Sequence, residues 1–141
     1  MKYRWGREND LPQIIGLLNL VKGDQRNLIA DQFLIASDNK KIVGCIRILE
    51  QQGMRQLISF GVLPEHRRKR IGSALMKKLL KVKSQRPIYL LCFKDLENFY
   101  NQFGFIISDS QILPTLLKKE YKRVFSKFSE IKKEIIAMKL S

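Results

Sequence analysis

Apolar residues recur at helical spacing near the start of the chain. Ile14, Ile15, Leu17, Leu18 and Val21 form one face. Asp10 is placed to cap this helix, Pro12 falls in its first turn, and Gly23 follows as a stop signal. We predict a helix over 11–21 after a short strand at 3–6. The following residues, 24–31, fit a short helix or a loop equally well.

The pattern then becomes extended. Three segments, 33–37, 42–50 and 55–62, have the composition of strands, and the turn-like sequences DNKK and QQGM separate them. A basic stretch, HRRKR, leads into IGSALMKKLLKV, where apolar residues again have helical spacing and lysines occupy the other face. The almost entirely apolar IYLLCF at 88–93 is typical of a central strand covered on both faces.

The last third begins with a short helix through Leu96, Phe99 and Tyr100 and a strand at 105–108. A lysine-rich helix follows, whose apolar stripe is Leu113, Leu116, Leu117, Tyr121, Val124, Phe125, Phe128 and Ile131. This stripe suits a membrane-surface or partner-binding helix, but packing against the domain is the favoured interpretation. A strand at 135–140 closes a mixed α/β (α+β) domain.

The bulk properties suit one soluble domain over 1–141. The chain is 45% hydrophobic, no Gly/Ser/Pro-rich linker divides it, and no apolar run reaches the ~20 residues of a membrane span. The polar start, MKYRWGREND, argues against a signal peptide, so we expect a cytoplasmic protein. Cys45 and Cys92 lie in apolar runs and are expected to be buried free thiols. With His66 as the single histidine, we expect no metal site.

Charge is the unusual bulk property. Lys and Arg number 27 against 13 Asp and Glu, a formal net charge of +14. Such a field attracts polyanions, so weak non-specific binding to nucleic acid is expected. A basic nucleic-acid-binding module remains an alternative function, although no helix-turn-helix, zinc or RNP-type motif accompanies the charge.

Candidate chemistry lies where a strand meets a helix, in SFGVLPEHRRKRIGSA (59–74). The first N–H groups of a helix have no acceptor within it, and the helix dipole is positive there, so this end favours phosphate. Gly72 permits close approach of a phosphate, Ser73 adds a hydroxyl, and Arg67, Arg68, Lys69 and Arg70 add positive charge. The pattern predicts a pyrophosphate cradle that is neither a Walker loop nor a dinucleotide GxGxxG.

This segment resembles the acyl-CoA-binding motif of the GNAT superfamily, Q/R-x-x-G-x-G/A between a strand and a helix. Arg67 takes the first place and Gly72 the last, while Arg70 stands where the family has its first glycine. FYNQFGF (99–105) resembles the family's F/L-Y-E-K-x-G-F signature, in the same order along the chain. The resemblance implies a central mixed twisted sheet flanked by helices, to which this chain adds a basic C-terminal helix before the last strand.

The resemblance also implies an enzyme that transfers acetyl from acetyl-CoA directly to a primary amine in a ternary complex. Phe60, Gly61 and Val62 would bind the pantetheine arm through their backbone, in a cleft between splayed strands. Residues 67–73, Ile71 included, would hold the pyrophosphate. Tyr100 would protonate the departing thiolate, and Phe99, Phe103 and Phe105 would be core.

The strands before and after the CoA-binding loop and helix, RQLISFGV and PIYLLCF, contain no carboxylate that could act as the general base. Glu50 is the first candidate, and Asp95, Glu97 and His66 are weaker ones. A protein N-terminus, a lysine, a small amine and an RNA-linked aminoacyl group all remain open as acceptors. A homodimer also remains open, as does a fold that binds CoA without catalysis.

Overall fold

The computed structural model describes the backbone of residues 1–141 and every side chain except that of Ser110. The strands are β1 (Lys2–Trp5), β2 (Leu34–Asp38), β3 (Lys41–Gln51), β4 (Met54–Val62), β5 (Ile88–Phe93), β6 (Ile106–Ile107) and β7 (Ile135–Leu140). The helices are α1 (Leu11–Val21), α2 (Ile71–Val82), α3 (Glu97–Asn101) and α4 (Thr115–Lys127). Short 3-10 turns include Glu8–Asp10, Ala30–Gln32 and Pro64–His66.

The strands form a mixed sheet in the order β1-β2-β3-β4-β5-β7-β6. Two-residue turns join β2 to β3 and β3 to β4, and the turn residues Asn39, Lys40, Gln52 and Gly53 all have positive φ. β4 runs parallel to β5, with Gln56 opposite Tyr89. β7 lies antiparallel to both β5 and β6. The mixed α/β class predicted from the sequence is therefore confirmed.

The chain divides into two compact units, Met1–Leu49 with Leu57–Ser84, and Glu50–Gln56 with Gln85–Ser141. In the first unit, α1 and α2 contribute Ile14, Leu18, Leu75 and Leu79 to a core that β2 and β3 complete. In the second unit, Leu113 and Leu117 pack with Met54 and Ala137. The expectation of one domain over 1–141 stays a prediction.

For the segment 24–31 the sequence left a short helix and a loop open, and the structure shows a loop that runs into the turn Ala30–Gln32. The cap predicted at Asp10 needs correction. Asp10 stands at the N-cap of α1, but its side chain makes no bond to that helix. The Asp10 carboxylate instead accepts the Arg7 N–H at 2.7 Å and pairs with Arg4 at 2.7 Å.

The basic helix is shorter than its apolar stripe predicted. α4 ends at Lys127, and beyond it Phe128 packs edge-on against Phe93 with ring centroids 5.4 Å apart. Leu113 and Leu117 of the stripe are buried and Leu116 and Tyr121 are half-buried, which favours packing on the domain, whereas Phe125 is 57% exposed. Within the described part of the chain, no helix has the length and apolarity needed to cross a membrane.

Phenylalanines around α3 are less buried than predicted. Phe105 is fully buried, but Phe99 and Phe103 are only half-buried. Phe99 lies on α3 and Phe103 lies in the turn that follows it, and the centroids of the two rings are 5.2 Å apart. The cysteine prediction is confirmed, since Cys45 and Cys92 are both free and buried.

Candidate functional site

The segment from Leu57 in β4 to the end of α2 lies within the first unit. After Val62 the Leu63 N–H donates to the Val43 carbonyl at 2.8 Å, which fixes the end of the strand beside β3. The turn Pro64–His66 follows, and the loop then enters α2 at Ile71. Strand, basic loop and helix therefore occur in the order predicted.

The loop backbone alternates in handedness just before the helix. Arg68 has φ +67° and Arg70 has φ +60°, both in the left-handed region. Left-handed residues next to right-handed ones turn successive N–H groups toward one side and create a concave anion-binding nest. The bond from Ala74 N–H to the Arg70 carbonyl, 3.1 Å, opens the helix, so the N–H groups of residues 71–73 have no acceptor inside α2.

Arg70 thus adopts the conformation that glycine favours, at the position where the family motif has glycine. The departure from the motif leaves the backbone path intact. Its cost is the strain of a left-handed residue with a Cβ, on the order of 1–2 kcal/mol.

Positive charge surrounds this nest. Arg67, Arg68, Lys69 and Arg70 are all exposed. The Arg67 Nε donates to the Val62 carbonyl at 3.3 Å, and the Lys69 ammonium lies 3.5 Å from Nδ1 of His66. A phosphate at the start of α2 would meet these charges together with the positive end of the helix dipole.

Two glycines allow close packing around the strand and the helix. A Cβ on Gly72 would lie 3.3 Å from Cζ of Phe60 and 3.8 Å from a Val62 methyl, so the first turn of α2 rests on the end of β4. A Cβ on Gly61 would lie 2.5 Å from a methyl of Val21, so glycine lets the end of α1 approach β4. Phe60, Gly61 and Val62 are each half-buried.

Two residues that the sequence analysis did not single out support the end of this strand: Arg47 in β3 and Ser59 in β4 itself. Arg47 is fully buried in β3, and its Nε donates to Oγ of Ser59 at 2.9 Å. Ser59 has φ +54° although it lies inside β4. An arginine within the apolar IVGCIRIL run was the one sequence signal available for this pair.

Tyr100 belongs to the second unit and is 7% exposed. Its ring packs edge-on against Phe99 at 5.2 Å and Phe105 at 6.1 Å. Burial is the main cause that raises the pKa of the Tyr100 phenol above its ordinary value, and the nearby Cys92 adds to it. A tyrosine hydroxyl is protonated at neutral pH in any case, and the raised pKa makes this one a weaker acid than an exposed phenol. The same burial is also what a core aromatic would show.

Among the candidate general bases, Glu50 and Asp95 are exposed, whereas Glu97 and His66 are partly buried. The Glu50 side chain is 57% exposed and lies 3.8 Å from the Arg55 guanidinium. Asp95 pairs with Lys133 at 3.2 Å and Glu97 with Lys94 at 3.0 Å. Nothing in these surroundings selects one of them, so the base stays a prediction.

The buried thiols lack the surroundings of a nucleophile. Burial raises the pKa of Cys45 and of Cys92 to about 12, far above the range in which a thiolate forms at neutral pH. Among the described side chains, no cluster of three or more His, Cys, Asp or Glu could hold a metal ion.

The ten residues predicted to bind CoA therefore fall in one continuous segment of the first unit, whereas Glu50 and Tyr100 lie in the second. The nest at the start of α2 is built from residues adjacent in sequence. The surroundings of Glu50 and Tyr100 are those of the second unit alone.

Comparison with known proteins identifies the family. Residues 30–107 match the model of the acetyltransferase (GNAT) domain. This match covers more than half of the chain and includes both sequence motifs. The chain belongs to the GNAT acetyltransferases. A search of curated protein sequences found no match.

Solved structures share the fold at low sequence identity. N-acetylglutamate synthase from Neisseria gonorrhoeae, complexed with coenzyme A and N-acetyl-glutamate, has a TM-score of 0.75 and 16% identity over 99% of this chain. This chain covers 35% of that protein, about a third of its length. Rv2747 from Mycobacterium tuberculosis, in complex with CoA, has a TM-score of 0.74 and 20% identity, covering 99% of this chain and 98% of that one.

A third similar structure is Arabidopsis thaliana Naa50 in complex with the bisubstrate analogue CoA-Ac-MVNAL. Its TM-score is 0.65 and its identity 21%, over 99% of this chain and 97% of Naa50. At these identities the likeness establishes the fold, which is that of the GNAT acyltransferases.

Proposed function

We propose that this protein is an N-acetyltransferase in which an amine attacks acetyl-CoA directly within a ternary complex. The observation that carries the proposal is the nest at the start of α2, where Arg68 and Arg70 turn left-handed beside four exposed basic side chains. This nest has the charge and the N–H groups to hold the pyrophosphate of CoA.

The strand that leads into the nest would bind the rest of CoA. Phe60, Gly61 and Val62 would pair their backbone groups with the pantetheine amides, as an added strand does. An N–H at this position would polarise the thioester carbonyl and stabilise the oxyanion that forms during attack.

Proton transfers complete the proposed reaction. An alkylammonium with a pKa near 10.4 has to lose a proton before it attacks, and Glu50 is proposed to accept that proton through water. As the C–S bond breaks, the Tyr100 hydroxyl would donate its proton to the departing CoA thiolate. The assignment is supported by the position of Tyr100 at the tyrosine of the family signature, in FYNQFGF (99–105).

The acceptor is proposed as a primary amine whose surroundings are neutral or acidic. The chain has a formal net charge of +14, which disfavours a polycation such as a polyamine. The similar structures hold an acetylated amino acid in one case and a peptide-bearing analogue in another. An amino acid, a protein N-terminus, a lysine and an RNA-linked aminoacyl group are therefore the acceptors to screen.

Two experiments test this function. A panel of those amines with acetyl-CoA, followed by the thiol released, should reveal at least one acceptor. CoA should raise the melting temperature more than pantetheine does, because only CoA carries the pyrophosphate. Equal thermal shifts from the two ligands would remove the nest from the proposal.

Nucleic-acid binding is the second candidate, and one observation favours it. Residues 67–83 carry eight basic side chains, all exposed, and no carboxylate. Lys77, Lys78 and Lys81 lie on the outer face of α2, beyond the residues assigned to pyrophosphate. Binding of this kind should be non-specific in sequence and should weaken steeply as salt rises.

The charge-reversed variant K77E/K78E/K81E should reduce binding to a duplex oligonucleotide much more than the matched K118E/K119E/K122E on α4. A base-specific complex that survives high salt would favour a nucleic-acid-binding module over the enzyme.

A further inference from the structure

Arg47 is the largest side chain that is fully buried, at 0% exposure in the middle of β3. A buried guanidinium requires hydrogen-bond partners, and this one has them on two segments. Its Nε donates to Oγ of Ser59 at 2.9 Å, one terminal nitrogen donates to the Asn27 carbonyl at 2.8 Å, and the other donates to the Arg26 carbonyl. The Arg47 guanidinium also lies over the Phe33 ring, 4.8 Å from its centre.

Ser59 is held from both sides. Its hydroxyl accepts from Arg47 and donates to the Asp24 carbonyl at 2.5 Å, while its own carbonyl accepts from Sγ of Cys45 at 3.3 Å. The residue is 3% exposed and has φ +54°, a conformation that a residue with a Cβ adopts only when its surroundings enforce it.

The left-handed residue Ser59 lies in β4 directly before the residues proposed to bind acetyl-CoA. A left-handed residue inside a strand re-aims the backbone groups that follow, as in a β-bulge. The groups that follow Ser59 belong to Phe60, Gly61 and Val62, the residues proposed to bind the pantetheine arm.

We propose that Arg47 is a positioning residue for acyl-CoA, which acts through Ser59 to hold the left-handed turn that directs the backbone of residues 60–62. The same guanidinium ties the loop at 24–27 to this strand, so that movement of the loop would be transmitted to the thioester site. This inference rests on the proposed function, because it requires residues 60–62 to contact acetyl-CoA.

A purely structural role for Arg47 would predict something different. An arginine that only fills the core would affect overall stability and every ligand alike. A positioning role affects only the part of the ligand that residues 60–62 would contact. Two probes separate these cases: acetyl-CoA, and 3′,5′-ADP, which has the nucleotide end of CoA but no pantetheine arm.

Four variants form the test, each checked for its fold by circular dichroism. Ser59→Ala removes the hydroxyl but keeps the Cβ that resists a left-handed φ, whereas Ser59→Gly permits that φ without any support. Arg47→Lys keeps the charge but not the forked donors. Ser37→Ala, a serine in β2 that is 7% exposed, is the matched control.

Titration calorimetry should show that Ser59→Ala and Arg47→Lys bind acetyl-CoA about tenfold more weakly, on the scale of one lost charge-assisted hydrogen bond. Their affinity for 3′,5′-ADP should match that of the wild type. Ser59→Gly should retain acetyl-CoA affinity to within about threefold, since glycine accepts the turn unaided. Ser37→Ala should bind both probes normally.

Several outcomes would overturn the proposal. Equal losses for both probes would make Arg47 a core residue only. Unchanged acetyl-CoA affinity in Ser59→Ala would show that the Arg47–Ser59 pair does not hold the left-handed turn at residue 59. An acetyl-CoA affinity of Ser59→Gly as low as that of Ser59→Ala would show the same. If Arg47→Lys fails to fold, the two Ser59 variants decide the matter. Wild-type protein that binds neither probe would instead contradict the proposed function.

Discussion

Gly72→Glu tests the phosphate nest most directly. Gly72 lies in the first turn of α2, and a side chain there would start 3.3 Å from the Phe60 ring, which can give way by a few tenths of an ångström. A glutamate near the positive end of a helix stabilises that helix by about 0.3–1 kcal/mol, so the fold should survive. What the change adds is one negative charge where the pyrophosphate would bind.

The size of this effect follows from Coulomb's law. A carboxylate about 5 Å from one phosphate charge costs roughly 3 kcal/mol at an effective dielectric constant of 20, and roughly 0.8 kcal/mol in bulk water. CoA affinity should therefore fall between about fourfold and 150-fold. Gly72→Gln has nearly the same shape without the charge, so its difference from Gly72→Glu isolates the electrostatic part.

Titration calorimetry with CoA at two salt concentrations measures the steric and the electrostatic part of the loss in affinity. The gap between the glutamate and glutamine variants should narrow at high salt, since ions screen an exposed charge. A folded Gly72→Glu protein with the CoA affinity of Gly72→Gln at low salt would show that the loop is a surface turn and not a phosphate site.

Three further predictions follow from named residues. Tyr100→Phe should lower kcat on the order of 10²-fold with little change in KM for acetyl-CoA. The loss in kcat should become smaller as pH rises past the thiol pKa of ~8.5, because the thiolate can then leave without a proton. A Tyr100→Phe variant with wild-type kcat at neutral pH, under conditions where chemistry limits the rate, would end the assignment of Tyr100 as general acid. Arg70→Gly should raise the melting temperature by relieving the left-handed φ of +60°, whereas Lys69→Gly, which removes the same charge at a residue without positive φ, should not. If Arg70→Gly and Lys69→Gly change the melting temperature equally, the left-handed backbone of Arg70 does not destabilise the protein. Asp10→Asn should destabilise the fold by about 1–3 kcal/mol at neutral pH, because the hydrogen bond from Arg4 holds the pKa of Asp10 below its ordinary value. That stabilisation is complete above the unfolded pKa near 3.9 and is lost as pH falls through the lower folded value, so urea melts of the two proteins should converge in acid and not in base.

Sequence periodicity was a good guide to elements with strong local signals. The bounds of α1, β5 and β7 agree with the prediction, since helical spacing and uninterrupted apolar runs are local properties. The basic loop before α2 was also found, because a glycine, a serine and four basic residues are readable without coordinates. The end of α4 was misplaced, because Phe128 leaves the helix to pack on Phe93, which is distant in sequence.

The sequence by itself determined the order of strands and helices, the basic composition of residues 67–73 that predicts a phosphate site, and the resemblance that the family match bears out. These depend on residue type and spacing along the chain. Only the tertiary structure decided that β7 lies between β5 and β6, that Arg68 and Arg70 turn left-handed, and that Arg47 is buried against Ser59. Each of these rests on contacts between residues far apart in sequence, or on a backbone angle that such contacts enforce, and neither is visible in the local pattern of apolar and polar positions.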